Sequence, residues 1–185
     1  MGPMDEAVLR SLGKWPDVPA VYGWLMLDAR GNWLLRNPVS GAFERIGNVA
    51  LREFIARNYA CDELGRWFFQ NGPQRVYVRL VYTPLVFRLA GDRLKDHCGR
   101  NAGRITEAWL DERGSLVLRA ADGVGVLEDR DLLRASEGLV DAQGAPASDP
   151  ARAEFFVWGG ARTSLGRIAS RMVPERFNFV PDPRP

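Results

Sequence analysis

Two stretches decide how this chain is read: Trp24-Leu25-Met26-Leu27-Asp28-Ala29-Arg30-Gly31-Asn32-Trp33-Leu34-Leu35-Arg36 and Trp109-Leu110-Asp111-Glu112-Arg113-Gly114-Ser115-Leu116-Val117-Leu118-Arg119. Each is apolar, breaks at Asp-x-Arg-Gly, turns apolar again and ends on arginine. Aspartate supplies a carboxylate that accepts from the turn's backbone N–H groups, and glycine takes the positive φ. Each stretch is expected to form a β-hairpin with Asp28 or Asp111 capping its turn.

The segments downstream of the two hairpins are also similar. Asn48 is placed to cap a helix over residues 48–58, with Val49, Leu51, Phe54 and Ile55 as its apolar stripe. In the second half, residues 129–139 form the matching helical stretch. Each half then reaches an aromatic strand and a glycine turn: Arg66-Trp67-Phe68-Phe69-Gln70-Asn71-Gly72 and Glu154-Phe155-Phe156-Val157-Trp158-Gly159-Gly160. A repeated order of this kind points to internal duplication. The expected fold is α+β: two similar β-rich halves (hairpin, helix, aromatic strand) forming one compact body with mostly antiparallel sheets. The boundaries read as an N-terminal helical segment at 1–21, a first half at 22–90, a connection at 91–106, a second half at 107–176 and an extended or frayed tail at 177–185. Leu9, Leu12 and Trp15 are expected to pack the N-terminal helix, and Pro84 to interrupt or edge a strand over residues 81–89.

The chain has 185 residues, 46% hydrophobic and 26% charged, with a formal net charge of +2. That composition fits a globular protein and excludes collagen-like, disulfide-scaffold and wholly disordered classes. No run approaches the roughly 18 apolar residues of a membrane span. Residues 1–6 lack the basic start and apolar run of a leader peptide. Cys61 and Cys98 are too few for a disulfide framework, so a cytoplasmic setting is expected.

The small net charge hides an uneven distribution. Residues 73–107 carry a net of +4, residues 108–150 a net of −5, and residues 151–185 a net of +3. Only Lys14 and Lys95 are lysines, so nearly every basic residue is arginine. Arginine suits bidentate recognition of carboxylate and phosphate; codon bias in a GC-rich genome produces the same excess.

Few residues announce chemistry. His97, the single histidine, stands in Asp96-His97-Cys98. Neighbouring residues of a strand face opposite ways, so these do not read as a catalytic Cys–His pair, and Cys61, Cys98 and His97 fall short of a zinc set. Glu128, Asp129 and Asp131 read as acidic residues favouring a helix start. No Walker or dinucleotide glycine pattern is present. The sharpest hypothesis concerns Gly159, Gly160, Arg162, Thr163, Ser164 and Arg167. The glycines let a ligand approach the backbone, Thr163 or Ser164 caps a helix running through Ile168, Ala169 and Met172, and the arginines hold an anion there. Asn71, Gly72 and Arg75 form the corresponding turn of the first half. Arg66, Trp67, Phe68 and Phe69 with Arg75 and Arg79 are the best group for stacking single-stranded nucleic acid. The weak basic excess speaks against that use, and aromatics of β-rich chains mostly fill cores.

The first half resembles an uncharacterised proteobacterial family, defined only as a domain of unknown function. The resemblance lies in residues 27–36, 50–59, 65–69 and 76–89: a hairpin with an Asp-Gly-x-Trp-type element, a small-residue helix, a Trp-rich strand and a Pro-flanked strand. It covers about residues 22–125. It implies an α+β fold of two repeated β-rich halves and a signalling or regulatory role, and it carries over no catalytic residue. The chain departs from the pattern in having Asp-x-x-Gly and a longer glycine-rich C-terminal region, as a sister family would.

Together these readings favour a binding module without a catalytic constellation, without cofactor or metal, that takes a small anionic ligand or a protein partner. An enzyme acting on a small anionic metabolite and a single-strand nucleic-acid binder are the alternatives. Unpaired sheet edges also allow a homodimer.

Overall fold

A computed structural model describes residues 4–15 and 17–185. Met1, Gly2 and Pro3, part of the start read for a leader peptide, and Pro16, within the expected N-terminal segment, lie outside the described residues. The chain divides into two units, one of Met1–Pro84 with Asn178–Pro185 and one of Leu85–Phe177.

Unit 1 begins with α1 (Glu6–Lys14) and continues through β1 (Val21–Leu27), β2 (Trp33–Arg36), β3 (Phe43–Arg45), α2 (Val49–Arg57), β4 (Tyr59–Cys61), β5 (Trp67–Asn71) and β6 (Gln74–Leu80). Its sheet has the order β3-β2-β1-β6-β5-β4. The Asp28 turn joins β1 to β2 as expected, and short turns explain every antiparallel neighbour. The central pair is different: β1 and β6 run parallel, with Leu25 opposite Val78 and Leu27 opposite Leu80. A parallel pair needs a long crossover, here everything from β2 to β5. Inside lie Leu25, Leu27, Trp33, Tyr59, Trp67 and Val78, all buried. Tyr59 meets Trp33 edge-on at 5.0 Å and Trp67 at 4.8 Å. Burying each such ring contributes about 2–3 kcal/mol.

Unit 2 comprises β7 (Leu85–Ala90), β8 (Arg93–Asp96), β9 (Glu107–Leu110), β10 (Leu116–Ala120), β11 (Gly123–Leu127), α3 (Leu132–Ser136), β12 (Leu139–Val140), β13 (Phe155–Trp158), β14 (Ala161–Arg167) and α4 (Val173–Arg176). The sheet order is β12-β13-β14-β9-β10-β11-β7-β8. The run β11-β10-β9-β14-β13-β12 has the same parallel and antiparallel neighbours as unit 1, with β9 and β14 as its central parallel pair. The β7–β8 hairpin is added at one end through a parallel pairing of β7 with β11. Strand β8 lies in the stretch read as a connection.

The structure corrects several expectations. Both sheets are mixed rather than mostly antiparallel, because hairpin signals report only local pairing and the parallel closures are long-range. Thr163 and Ser164 cap no helix: they sit inside β14, where Phe156 and Phe155 of β13 oppose them. The Gly159-Gly160 turn makes a hairpin, and this fixes the residues after it as a strand. A single 3-10 turn at Ser170–Met172 and the short α4 come only later. In α1, Val8 is the buried residue, while Leu9 and Trp15 are exposed. In α2, Ile55 is buried and Phe54 packs on Phe69, while Val49 and Leu51 face solvent. The tail is docked rather than frayed: Pro181 O accepts from Leu80 N at 2.7 Å and Gly65 O from Val180 N at 2.9 Å.

Candidate functional site

One backbone device organises the loops. Asp28, Asp62, Asp96, Asp111 and Asp141 each open an Asp-x-x-Gly-x turn in which the aspartate carbonyl accepts from the glycine N–H. Each aspartate N–H also donates to the carbonyl of the last residue of its turn. In four of them the carboxylate accepts from the N–H groups two and four residues on, as Asp111 does from Arg113 at 2.9 Å and Ser115 at 2.7 Å. Asp96 binds Arg100 N in the same way. The five glycines all have φ between 74° and 86°, the region that favours glycine. Only Asp28 and Asp111 are recognised from the repeat, although the other three share their spacing.

In unit 2 the ladder between β14 and β9 starts at Leu165 and Ala108. Before it the two chains part, because Thr106 turns away and donates its N–H to Arg119 O at 2.8 Å. The opening is a groove of about 540 Å³ walled by Arg104, Glu107, Trp109, Arg162, Thr163 and Ser164. Arg104 also borders an adjoining groove of about 490 Å³ beside Arg93, Trp158, Gly159 and Gly160. The Arg162 guanidinium lies 3.9 Å from the Phe155 ring centre and donates to Ala142 O at 3.1 Å. The Glu107 carboxylate is held by Arg176 at 2.9 Å and Arg119 at 3.8 Å. Among the described residues, the exposed side chain of Arg104 makes no hydrogen bond or ion pair, and neither do the side chains of Thr163 and Ser164. The indole Nε1 of Trp158 is buried without an acceptor.

The structure does not gather all the residues singled out in the sequence. Arg162, Thr163 and Ser164 share the first groove, and Gly159 and Gly160 wall the second. Arg167 is committed elsewhere, donating to the carbonyls of Pro150, Ala151 and Ala153 at 2.8–3.0 Å. In unit 1, Asn71 and Gly72 form the β5–β6 turn, and Arg75 stacks over Phe68 at 4.7 Å. Arg75 and Arg162 thus hold the same place on corresponding hairpins, each over a phenylalanine. The sequence does not single out Arg104, which stands in a polar stretch three residues before β9 with no local signal of its own.

Other candidates take structural parts. Trp67, Phe68 and Phe69 are buried and offer no stacking platform. His97 accepts from Val86 N through Nδ1 at 3.3 Å, so it belongs to the β7 frame rather than to a free surface loop. Burial, reinforced by the Asp96 charge, pushes the Cys98 thiol up to about 12, and burial with Asp62 pushes Cys61 up to about 11. Glu128 stands at the N-cap of a 3-10 turn, Asp129–Asp131, that runs into α3, but its side chain makes no capping bond there. It is buried, paired with Arg88 at 2.6 Å and also with Arg130, while Asp131 accepts from Arg88 at 2.7 Å and from Leu89 N at 2.9 Å. Among the described residues no group of three or more His, Cys, Asp and Glu is placed to hold a metal ion. No described helix is long and apolar enough to cross a membrane.

The family described as "Protein of unknown function (DUF2946)" matches residues 4–184. The chain belongs to that family. The resemblance to an uncharacterised family of unknown function therefore stands. No curated protein matches the chain. Among solved structures it is similar to a DUF1285 family protein from Silicibacter pomeroyi, at 15% identity and a TM-score of 0.50, over 79% of this chain and 80% of that one. A DUF1285 family protein from Shewanella baltica matches at 16% identity and a TM-score of 0.41, over 60% of this chain and 87% of that one. The likeness to the Silicibacter protein supports the α+β fold; neither description names a ligand or an activity.

Proposed function

We propose that the protein is a non-catalytic, regulatory binding module of the cytoplasm, and that its groove in unit 2 takes a small anionic ligand. The observation that carries this reading is Arg104. An exposed guanidinium with no partner among the described residues borders two adjoining grooves, beside Arg162 and two unengaged hydroxyls. Guanidinium and hydroxyl donors fit a carboxylate or phosphate oxygen, and the stacking of Arg162 on Phe155 fixes its plane in advance. Glu107, the acidic residue of the wall, is already neutralised by two arginines. The carboxyls whose pKa is displaced, Asp62, Asp96, Asp131 and Glu112, lie outside this groove. That distribution favours binding over acid–base catalysis.

We also read the halves as duplicates, 22–90 and 107–176, flanked by a segment at 1–21, a connection at 91–106 and a tail at 177–185. The shared strand order, the paired Asp turns and the matching Arg75–Phe68 and Arg162–Phe155 stacks support this. Isothermal titration with inorganic phosphate and with citrate tests the binding reading. A saturable site for either anion, missing from the isotherm of Arg104→Ala at unchanged Tm, is expected. No heat with both anions, or heat unchanged in Arg104→Ala, overturns it.

A further inference from the structure

Unit 1 carries a second positive concavity, and comparing corresponding positions shows why. The register sets Leu25 opposite Val78 and Leu35, as it sets Ala108 opposite Leu165 and Leu118. Trp24 therefore stands where Glu107 does, Arg36 where Arg119 does, and Arg79 where Gly166 does. In unit 2, Glu107 pairs with both Arg119 and Arg176. In unit 1 the acidic residue is replaced by tryptophan and a further arginine is added.

Arg36 and Arg79 border a cavity of about 480 Å³ with Tyr22, Asp182 and Arg184. Its three guanidinium groups face one carboxylate, leaving two positive charges uncompensated. Asp182 is taken by Arg184, at 2.9 Å to Nη2 and 3.3 Å to Nε. The Arg79 guanidinium is exposed and makes no hydrogen bond or ion pair among the described residues. Arg36 is held in place from behind: its Nε donates to Gly41 O at 3.3 Å. A Cβ on Gly41 would stand 3.7 Å from Nη2 and one on Gly23 4.0 Å from Nη1, ordinary contact distances, so the guanidinium lies beside both glycines. Both have positive φ, +75° and +72° for Gly23 and Gly41. Gly23 lies where the β1–β6 register shifts between Val21 and Leu25, a bulge of the kind that re-aims side chains beside sites.

We infer that this cavity is an oxyanion site, separate from the unit 2 groove, in which Arg36 and Arg79 hold the phosphate of a small phosphate monoester. The oriented Nη1–Nη2 edge of Arg36 matches two phosphate oxygens, and Arg79 supplies the second charge that favours a dianion over a monocarboxylate. Both groups are exposed, so binding is salt-sensitive.

The test tracks arginine Nε–H resonances of the full chain during titration with inorganic phosphate, adenosine monophosphate and acetate, at matched ionic strength. Saturable shifts of Arg36 and Arg79 with phosphate, larger than with acetate, are expected. Arg79→Ala and Arg79→Glu should each weaken phosphate binding tenfold or more, with Tm unchanged. Tighter binding of adenosine monophosphate identifies a phosphate on an organic body; equal binding identifies the free ion. No shift at Arg36 and Arg79, equal affinity for acetate, or binding unaffected by Arg79→Glu overturns the site. So does a single-stranded oligonucleotide that binds more tightly than adenosine monophosphate. Arg104→Ala leaves these shifts intact, so failure here and failure of the unit 2 groove are read separately.

Discussion

Gly166 lies against the indole of Trp109 so closely that a Cβ on it would collide with the six-membered ring. The two are opposite each other on the central parallel pair of unit 2. Arg176 covers the same indole at 5.3 Å, and Glu107 accepts its N–H at 3.3 Å. The ring therefore has little freedom to retreat. Gly166→Ala is expected to destabilise the protein by about 1–3 kcal/mol, as overpacking does. A lowered urea midpoint, with altered Trp emission, is the measurement.

Glu112 offers a pH prediction. The Ser170 hydroxyl and the Ser170 N–H, the latter at 2.7 Å, bring its pKa down to about 2 from the ordinary 4.5. A carboxyl depressed in the folded state adds stability that is present above its unfolded value and is lost as pH falls through its folded value. The affected window runs from about 4.5 down to about 2. Carboxyl NMR should find Glu112 titrating near 2 in the native chain and higher in Ser170→Ala, which keeps only the N–H donor. A native value above about 4 contradicts the contact.

The Glu128 network makes a third. Glu128 is 1% exposed and is paired with Arg88 and Arg130. Removing a partner from a fully buried pair costs roughly 3–5 kcal/mol. Arg88 is 44% exposed and Arg130 remains, so Arg88→Ala should cost less, about 2 kcal/mol. Burial alone would raise the pKa of Asp131, but the Arg88 and Leu89 hydrogen bonds outweigh it and hold the carboxyl below its ordinary value. Part of the loss in Arg88→Ala should therefore vanish in acid, as Asp131 protonates. Chemical unfolding at pH 7 and pH 3 measures both effects.

The thiols give a fourth. With values of about 11 and about 12, Cys61 and Cys98 hold little thiolate at pH 8. Alkylation by iodoacetamide should run roughly 100-fold or more slower than for an unfolded cysteine. Both should become reactive in guanidinium. Fast labelling of either in the native protein contradicts its placement.

How legible this was depended on the range of each signal. The turns at Asp28 and Asp111 were readable because an Asp-x-x-Gly-x turn completes its hydrogen bonds within five residues. Asn48 was readable as a cap for the same reason: its side chain accepts from Leu51 N, three residues on. Asp62, Asp96 and Asp141 carry the same spacing, but weaker flanking strands concealed them. The pairing of Leu25 with Val78 left no local trace, since both strands look alike whichever neighbour they take. Thr163 and Ser164 were misread because hydroxyl residues after glycine suit a cap or a strand equally, and only the partners in β13 decide between them. Arg104 is not legible in the sequence because the feature that marks it, a guanidinium unengaged among the described residues, exists only in three dimensions.

The docked tail has a consequence for how the chain is made. Residues 178–185 complete unit 1, yet they are synthesised after all of unit 2. The acceptor at Gly65 O and the donor at Leu80 N leave the ribosome long before Val180 and Pro181 arrive to meet them. Units generally fold in order of emergence. Here the unit that emerges first is the last to be finished, and a nascent chain halted near residue 177 carries a finished unit 2 behind a unit 1 still missing its closing segment.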